Sequence, residues 1–290
     1  RIANLIFVVI KLQEGKTKEL IEVLHRLNPK NEQVGIFISY VYSKLLKHTK
    51  RKNALDNIDF FKNDQKSKNN QLQNPYFLFF LAKHSWNSVL LYNTKFVNAV
   101  MKMITSEKIS VRNIAFKTLN LYLQILEKAQ TDYTKNSINF LFKFAQNNLF
   151  GSPSEKHGAF LIFSSLFEHF SSFFESQALD LMNFFREIYP TCSSNISSLI
   201  IYNIVLLANI KPDIFCHEYF TNILVNDNLQ HNVDSLNTLS LLKLIQLFPF
   251  LIRDYSKEFL NIIYNLLVTA YESPLENGFR ILDFISKKAQ

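Results

Sequence analysis

The sequence predicts an all-α chain, an α-solenoid of about seven stacked antiparallel helix pairs. Three observations predict it. Apolar anchors recur at Ala115, Ala159, Leu199, Leu239 and Phe279, in steps of 44, 40, 40 and 40 residues. The composition is 48% hydrophobic with 28 Phe and 12 Tyr but only 5 Gly and 7 Pro, which suits helices joined by short turns and not a turn-rich β fold. The third observation is a repeated start signal. Ser152-Pro153-Ser154-Glu155 and Ser273-Pro274-Leu275-Glu276 share the pattern S-P-x-E, 121 residues or three periods apart. In that pattern the serine caps the helix and proline fills the first position. The glutamate reaches back to the cap.

The elements follow in pairs. The helix bearing the anchors is termed B, and its partner A. B helices are predicted at 34–49, 74–91, 109–128, 154–171, 194–210, 233–252 and 275–288. A helices are predicted at 16–27, 53–63, 94–105, 132–149, 176–189, 213–226 and 255–272, with an incomplete helix at 2–13 closed by Gly15. Spacing justifies these assignments. Val111, Ala115, Leu119, Tyr122 and Leu126 draw one stripe at 3.6 residues per turn, and Leu236, Leu239, Leu242, Leu244 and Leu247 draw another. Phe259, Ile262, Ile263, Leu266 and Leu267 make a wide stripe on an A helix. No helix hides such a stripe alone, so each unit leans on its neighbours. Asn74-Pro75 is a further cap-then-proline start. Pro29, Pro190 and Pro212 fall between helices, whereas Pro249 lies inside one and predicts a kink or early stop. A 40-residue period of helix pairs has the dimensions of HEAT and armadillo arrays.

Residues 1–290 read as a single HEAT-like array, because the repeat phase continues on both sides of the weakest region, 50–73. Within that region 64–73 is polar and is expected to be a flexible inter-helix loop. The chain opens inside an apolar helical stretch, so it is expected to be a fragment of a larger protein. No run reaches the roughly 18–20 uninterrupted apolar residues of a membrane span. Ile196 to Ile210, the nearest, is broken by Ser197, Ser198, Asn203 and Asn209. Cys192 and Cys216 come without a CxxC or Cys/His cluster, which argues for a reducing compartment and against a zinc site.

The net charge of +8 is uneven, since residues 1–70 hold 14 Lys+Arg against 7 Asp+Glu. The local basic cluster Lys44, Lys47, Lys50, Arg51 and Lys52, with His48, is the candidate partner-binding patch, able to meet phosphates or an acidic peptide. Its bland alternative is a solvated helix end whose cations favour the C-terminal dipole. Sparse arginine argues against nucleic acid as the partner. Trp86 and the run Tyr76 to Leu81 read as core packing in preference to a peptide-docking patch.

No catalytic, cofactor-binding or metal-ligating residue is expected. The glycines at 15, 35, 151, 158 and 278 stand too far apart for a phosphate loop, and GxSxG, HExxH and kinase motifs are missing. His157 and His169 read as capping or packing residues. Cys216-His217-Glu218 cannot converge on one ion, because neighbours on a helix point about 100° apart. Asp56 and Asp59 read as a solvated pair.

Val111-Arg112-x-x-Ala115-x-x-x-Leu119, preceded by Ser106-Glu107, resembles a HEAT repeat. His157-Gly158-Ala159-Phe160-Leu161-Ile162 follows one unit later. Thr238-Leu239-Ser240-Leu241-Leu242-Lys243-Leu244 comes next, followed by Pro249 and Tyr255. Together these resemble the N-terminal HEAT solenoid of target-of-rapamycin (TOR) kinases, over roughly residues 75–290. Thr118, Phe160 and Phe163 depart from that pattern, and the link between the two helices is short. The resemblance implies a parent protein Ser/Thr kinase of the phosphatidylinositol-3-kinase-related family with its catalytic domain outside this chain. This segment is then a cytoplasmic or nuclear scaffold that docks regulatory subunits, without cofactors. The alternative reading is a HEAT- or armadillo-type transport or trafficking adaptor.

Overall fold

The computed structural model describes residues 35–43, 75–214 and 235–254, apart from a few single positions, together with isolated residues beyond them. Among the described residues every regular element is helical and there is no strand. No helix there is long and apolar enough to cross a membrane. The chain divides into two compact units, Arg1–Asn139 and Phe140–Gln290, each described in its own right.

In the first unit a helical segment at 35–43 precedes α1 (Pro75–His84), α2 (Trp86–Leu91), α3 (Asn93–Ile104) and α4 (Ile109–Ala129). The expected helix 74–91 is thus interrupted at Ser85. Its main chain still continues the ladder, with Ser85 N donating to Leu81 O at 2.8 Å. The Ser85 hydroxyl turns inward and donates to the Ser43 carbonyl at 3.0 Å. α1 and α3 both pack on α4. The stripe on α4 behaves as its spacing requires: Ala115, Leu119, Tyr122 and Leu126 are buried and Val111 is half-buried. Each large apolar side chain so buried contributes about 1.5–3 kcal/mol. α5 (Asp132–Asn148) begins in this unit and ends in the second.

The second unit continues with α6 (Pro153–His169), α7 (Ala178–Ile188), α8 (Ser194–Ile210), α9 (Ser235–Leu247) and the short α10 (Phe250–Asp254). α8 is central and packs against α6, α7 and α9. Its ends fall where the sequence places them. Pro249 separates α9 from α10, because it cannot donate to Ile245 O and so stops the ladder. Between the expected helices 154–171 and 176–189 lies a 3-10 stretch, Ser171–Gln177, which holds Phe174 in the core. Further 3-10 turns at Tyr189–Thr191 and Pro212–Ile214 carry Pro190 and Pro212.

The cap of α6 forms as expected. The Ser152 hydroxyl accepts from Glu155 N–H, and the Glu155 carboxylate accepts from Ser152 N–H at 2.7 Å. Those bonds hold the Glu155 carboxyl below its ordinary value, so the cap persists above about pH 4.5 and is lost as pH falls through the lowered value. Gly151 makes room for that carboxylate, because a Cβ there would collide with Glu155 Oε2. Gly151→Ala is expected to open the box and speed amide exchange in the first turn of α6. Unchanged exchange there would show that the carboxylate has another route to Ser152. The second S-P-x-E start and the expected loop 64–73 lie outside the described residues.

Three of the five anchors, Ala115, Ala159 and Leu199, are buried and Leu239 is half-buried; Phe279 lies outside the described residues. α6 and α8 differ from ordinary surface helices. Residues 157–167 of α6 and 196–208 of α8 are buried without interruption. Helices so enclosed have no water-facing side, and the serines and Asn203 within them bond main-chain carbonyls instead.

Candidate functional site

The candidate basic patch Lys44, Lys47, Lys50, Arg51 and Lys52 lies outside the described residues, as do Cys216-His217-Glu218, Asp56 and Asp59. The other singled-out residues are placed. Arg112 is buried and donates from Nη1 to the Ser106 and Glu107 carbonyls at 2.6 and 3.0 Å. It therefore clamps the turn between α3 and α4. Burial lowers its pKa without costing it the proton. Charged hydrogen bonds of this kind are the stronger ones, so Arg112→Ala is expected to destabilise the first unit by about 2 kcal/mol in denaturant unfolding. A loss below about 0.5 kcal/mol would make the clamp dispensable.

His157 and Gly158 are buried on α6, and His169 sits half-buried in its last turn. Cys192 is a half-buried free thiol in the turn before α8. Among the described residues no three His, Cys, Asp or Glu side chains group as metal ligands do.

Two departures from the expected pattern have physical causes. Thr118 is fully buried, and its hydroxyl donates to the Ile114 carbonyl at 2.7 Å, leaving its methyl for the core. Phe160 and Phe163 are bulky because they build a ring cluster. Phe163 lies 5.6 Å from Phe142, 5.8 Å from Phe167 and 5.4 Å from Phe185. Trp86 corrects an expectation. It is 54% exposed, whereas Phe77, Leu78 and Leu81 of the neighbouring run are buried. Ser85 takes the inward position, and the next residue on a helix points about 100° away.

Most buried hydroxyls bond a carbonyl of their own helix, but a few polar groups join helices. The Tyr122 hydroxyl of α4 donates to Asn93 Oδ1 at 2.6 Å and lies 3.0 Å from Ser137 Oγ on α5. Asn93 Nδ2 closes the triangle by donating to Ser137 Oγ at 3.3 Å. In the second unit Asn203 Nδ2 donates to the Phe160 carbonyl at 3.1 Å and to Ser164 Oγ at 2.9 Å. Its Oδ1 is buried without a partner. Tyr202 donates to the Glu168 carboxylate, and Lys243 lies 3.9 Å from Glu168 and 5.7 Å over the Tyr202 ring. Burial first, then the Glu168 charge, pushes the Tyr202 hydroxyl far above its ordinary pKa. The triad thus clasps α6, α8 and α9.

One surface lies outside every sequence expectation. On α4, Asn113, Lys117, Gln124 and Lys128 are exposed and Asn120 is half-buried, with Oδ1 unpartnered. Their steps of four, three, four and four make them one polar face opposite the apolar stripe. Glu127 is exposed beside Lys128. The signal is present in the sequence as the complement of the buried stripe. It does not stand out as clustered charge, because carboxamides make up more than half of it.

No protein-family profile matches this sequence, and neither a curated protein nor a solved structure matches it.

Proposed function

We propose that this chain is a non-catalytic, protein-binding scaffold segment built as a helical-repeat array. One observation carries the reading: side chains about one period apart in sequence meet. Ser85 reaches Ser43, 42 residues back, and Tyr40 packs edge-on against Phe80 at 5.4 Å. Asn93 reaches Ser137, 44 residues on. Asn203 reaches Phe160 and Ser164, 43 and 39 residues back, and Lys243 covers Tyr202. Parallel helices in equivalent positions of successive repeats produce this constant offset, and unrelated helical bundles do not. The polar groups so placed hold helices together, which suits a framework that presents a surface to a partner.

The finer form of the proposal is a HEAT region of a TOR-like Ser/Thr kinase, cytoplasmic and docking regulatory subunits. Arg112 supports it, because it closes the turn between α3 and α4 within the Val111-Arg112 segment that resembles a HEAT repeat. Native mass spectrometry of the tagged chain recovered from its own cells tests the scaffold. The expected result is a complex of fixed stoichiometry with a protein partner. Turnover of a substrate by the chain alone, or no stoichiometric complex, would overturn it. The TOR form is tested by reading the gene downstream, where a kinase catalytic domain is expected. A complete gene without one would remove that form and leave the scaffold standing.

A further inference from the structure

We infer that the polar face of α4 is the docking surface of this scaffold, and that its occupant is an extended acidic peptide segment of a partner protein. The inference rests on the scaffold reading and adds the surface and the partner's chemistry.

Equivalent positions on α4, α6 and α8 are counted from the anchors Ala115, Ala159 and Leu199. Two residues before the anchor stand Asn113, His157 and Ser197. Two residues after it stand Lys117, Leu161 and Ile201, and five after it Asn120, Ser164 and Ile204. In α6 and α8 all of these are buried. In α4 Asn113 and Lys117 are exposed and Asn120 is half-buried. The same face that is sealed in two repeats is open and polar in this one. A soluble helix needs a polar outer face. It does not need one on a side that its sister repeats bury, apolar and polar residues alike, so the open face has a use beyond solubility.

Charge favours an acidic occupant. Residues 1–139 hold 22 Lys+Arg against 10 Asp+Glu, whereas residues 140–290 hold 10 against 14. The whole-chain excess therefore belongs to the unit that carries α4. Each of the seven lysines between residues 75 and 139 is exposed. A field of this sign steers acidic partners and repels basic ones.

Hydrogen-bonding chemistry favours a peptide over a nucleic acid. Phosphates only accept hydrogen bonds, and arginine is their usual bidentate ligand. The arginine between residues 75 and 139, Arg112, is buried against main-chain carbonyls. The α4 face instead interleaves lysine with the carboxamides of Asn113, Asn120 and Gln124, which both donate and accept. That matches a peptide main chain, with its alternating N–H and C=O, flanked by carboxylates. Asn120 and Gln124 also fall 40 residues after Phe80 and His84, which lie stacked with ring centroids 6.1 Å apart and carry Tyr40 edge-on. An aromatic surface thus precedes the polar one by one repeat.

The test uses the whole chain and a fluorescein-labelled twelve-residue peptide rich in Asp and Glu, read by anisotropy. Salt-sensitive binding is expected. Lys117→Glu with Lys128→Glu is expected to weaken it at least about tenfold, and Asn113→Ala with Gln124→Ala by about threefold, because the carboxamides act without charge. Lys143→Glu, on the second unit's part of α5, is expected to leave it unchanged. Variants that bind as the parent does would overturn the surface. So would equal weakening by Lys143→Glu, and so would an oligonucleotide of equal charge that binds more tightly and shows the same sensitivity. Loss of peptide binding in a parent chain that still forms its stoichiometric complex overturns the α4 surface alone. A parent chain that forms no such complex overturns the scaffold with it.

Discussion

Phe163→Ala is expected to destabilise the second unit by about 3–5 kcal/mol. Phe163 is fully buried on α6, and its ring meets Phe142 of α5, Phe160 and Phe167 of its own helix, and Phe185 of α7. Truncation removes the transfer energy of the ring and leaves a cavity. The neighbouring rings cannot fill that cavity, because Phe160, Phe174 and Phe185 are themselves fully buried and packed on other rings. Edge-to-face contacts add about 0.5–1.5 kcal/mol per pair beyond area. Phe150→Ala is the matched control. Phe150 is 78% exposed and touches Phe184 at 6.3 Å, so its loss should stay within about 0.5 kcal/mol. Urea unfolding of the two variants measures the contrast. Equal losses would mean that the ring cluster does not hold the unit together.

The same cluster shows how much of this molecule is legible in its sequence. Ala115, Ala159 and Leu199 are core positions by their spacing and are buried, because small and branched residues at helical spacing have one place to go. Pro249 stops its helix for a reason contained in proline itself. The 3-10 stretch Ser171–Gln177 is not legible, since what holds it is Phe174 reaching a core built by residues from other helices. Trp86 reads as core and is not, because a large aromatic side chain carries no label for which way a bent helix turns it. The α4 face is hidden for a related reason. Asn113, Lys117 and Gln124 look like any solvated edge until the sealed faces of α6 and α8 give them a comparison. That comparison requires burial at equivalent positions, which one sequence does not contain.

Tyr122 predicts an alkaline loss of stability that its phenylalanine variant will not share. Burial, only partly offset by the bonds to Ser137 and Asn93, raises the Tyr122 hydroxyl to about 12. The folded chain thus favours the neutral phenol. Its contribution is complete below the ordinary value of 10.0 and is lost as pH rises from 10 to about 12. Two pKa units correspond to about 3 kcal/mol. Tyr122→Phe removes the hydroxyl from the triangle with Asn93 and Ser137, and at pH 8 it is expected to cost about 1 kcal/mol. The variant then escapes Tyr122's share of the alkaline loss, so the two stability curves should meet at about pH 10.7 and cross above it. Urea unfolding of both proteins between pH 8 and 11 reads the convergence. Phenolate absorbance at 295 nm should show one late-titrating tyrosine fewer in the variant than in the parent, with Tyr202 titrating late in both. Parallel curves over that range would mean that the phenol ionises as freely in the folded chain as in the unfolded one. The triangle joining α3, α4 and α5 would then be open to water, and the helix pairs of the first unit would need another explanation for their alignment.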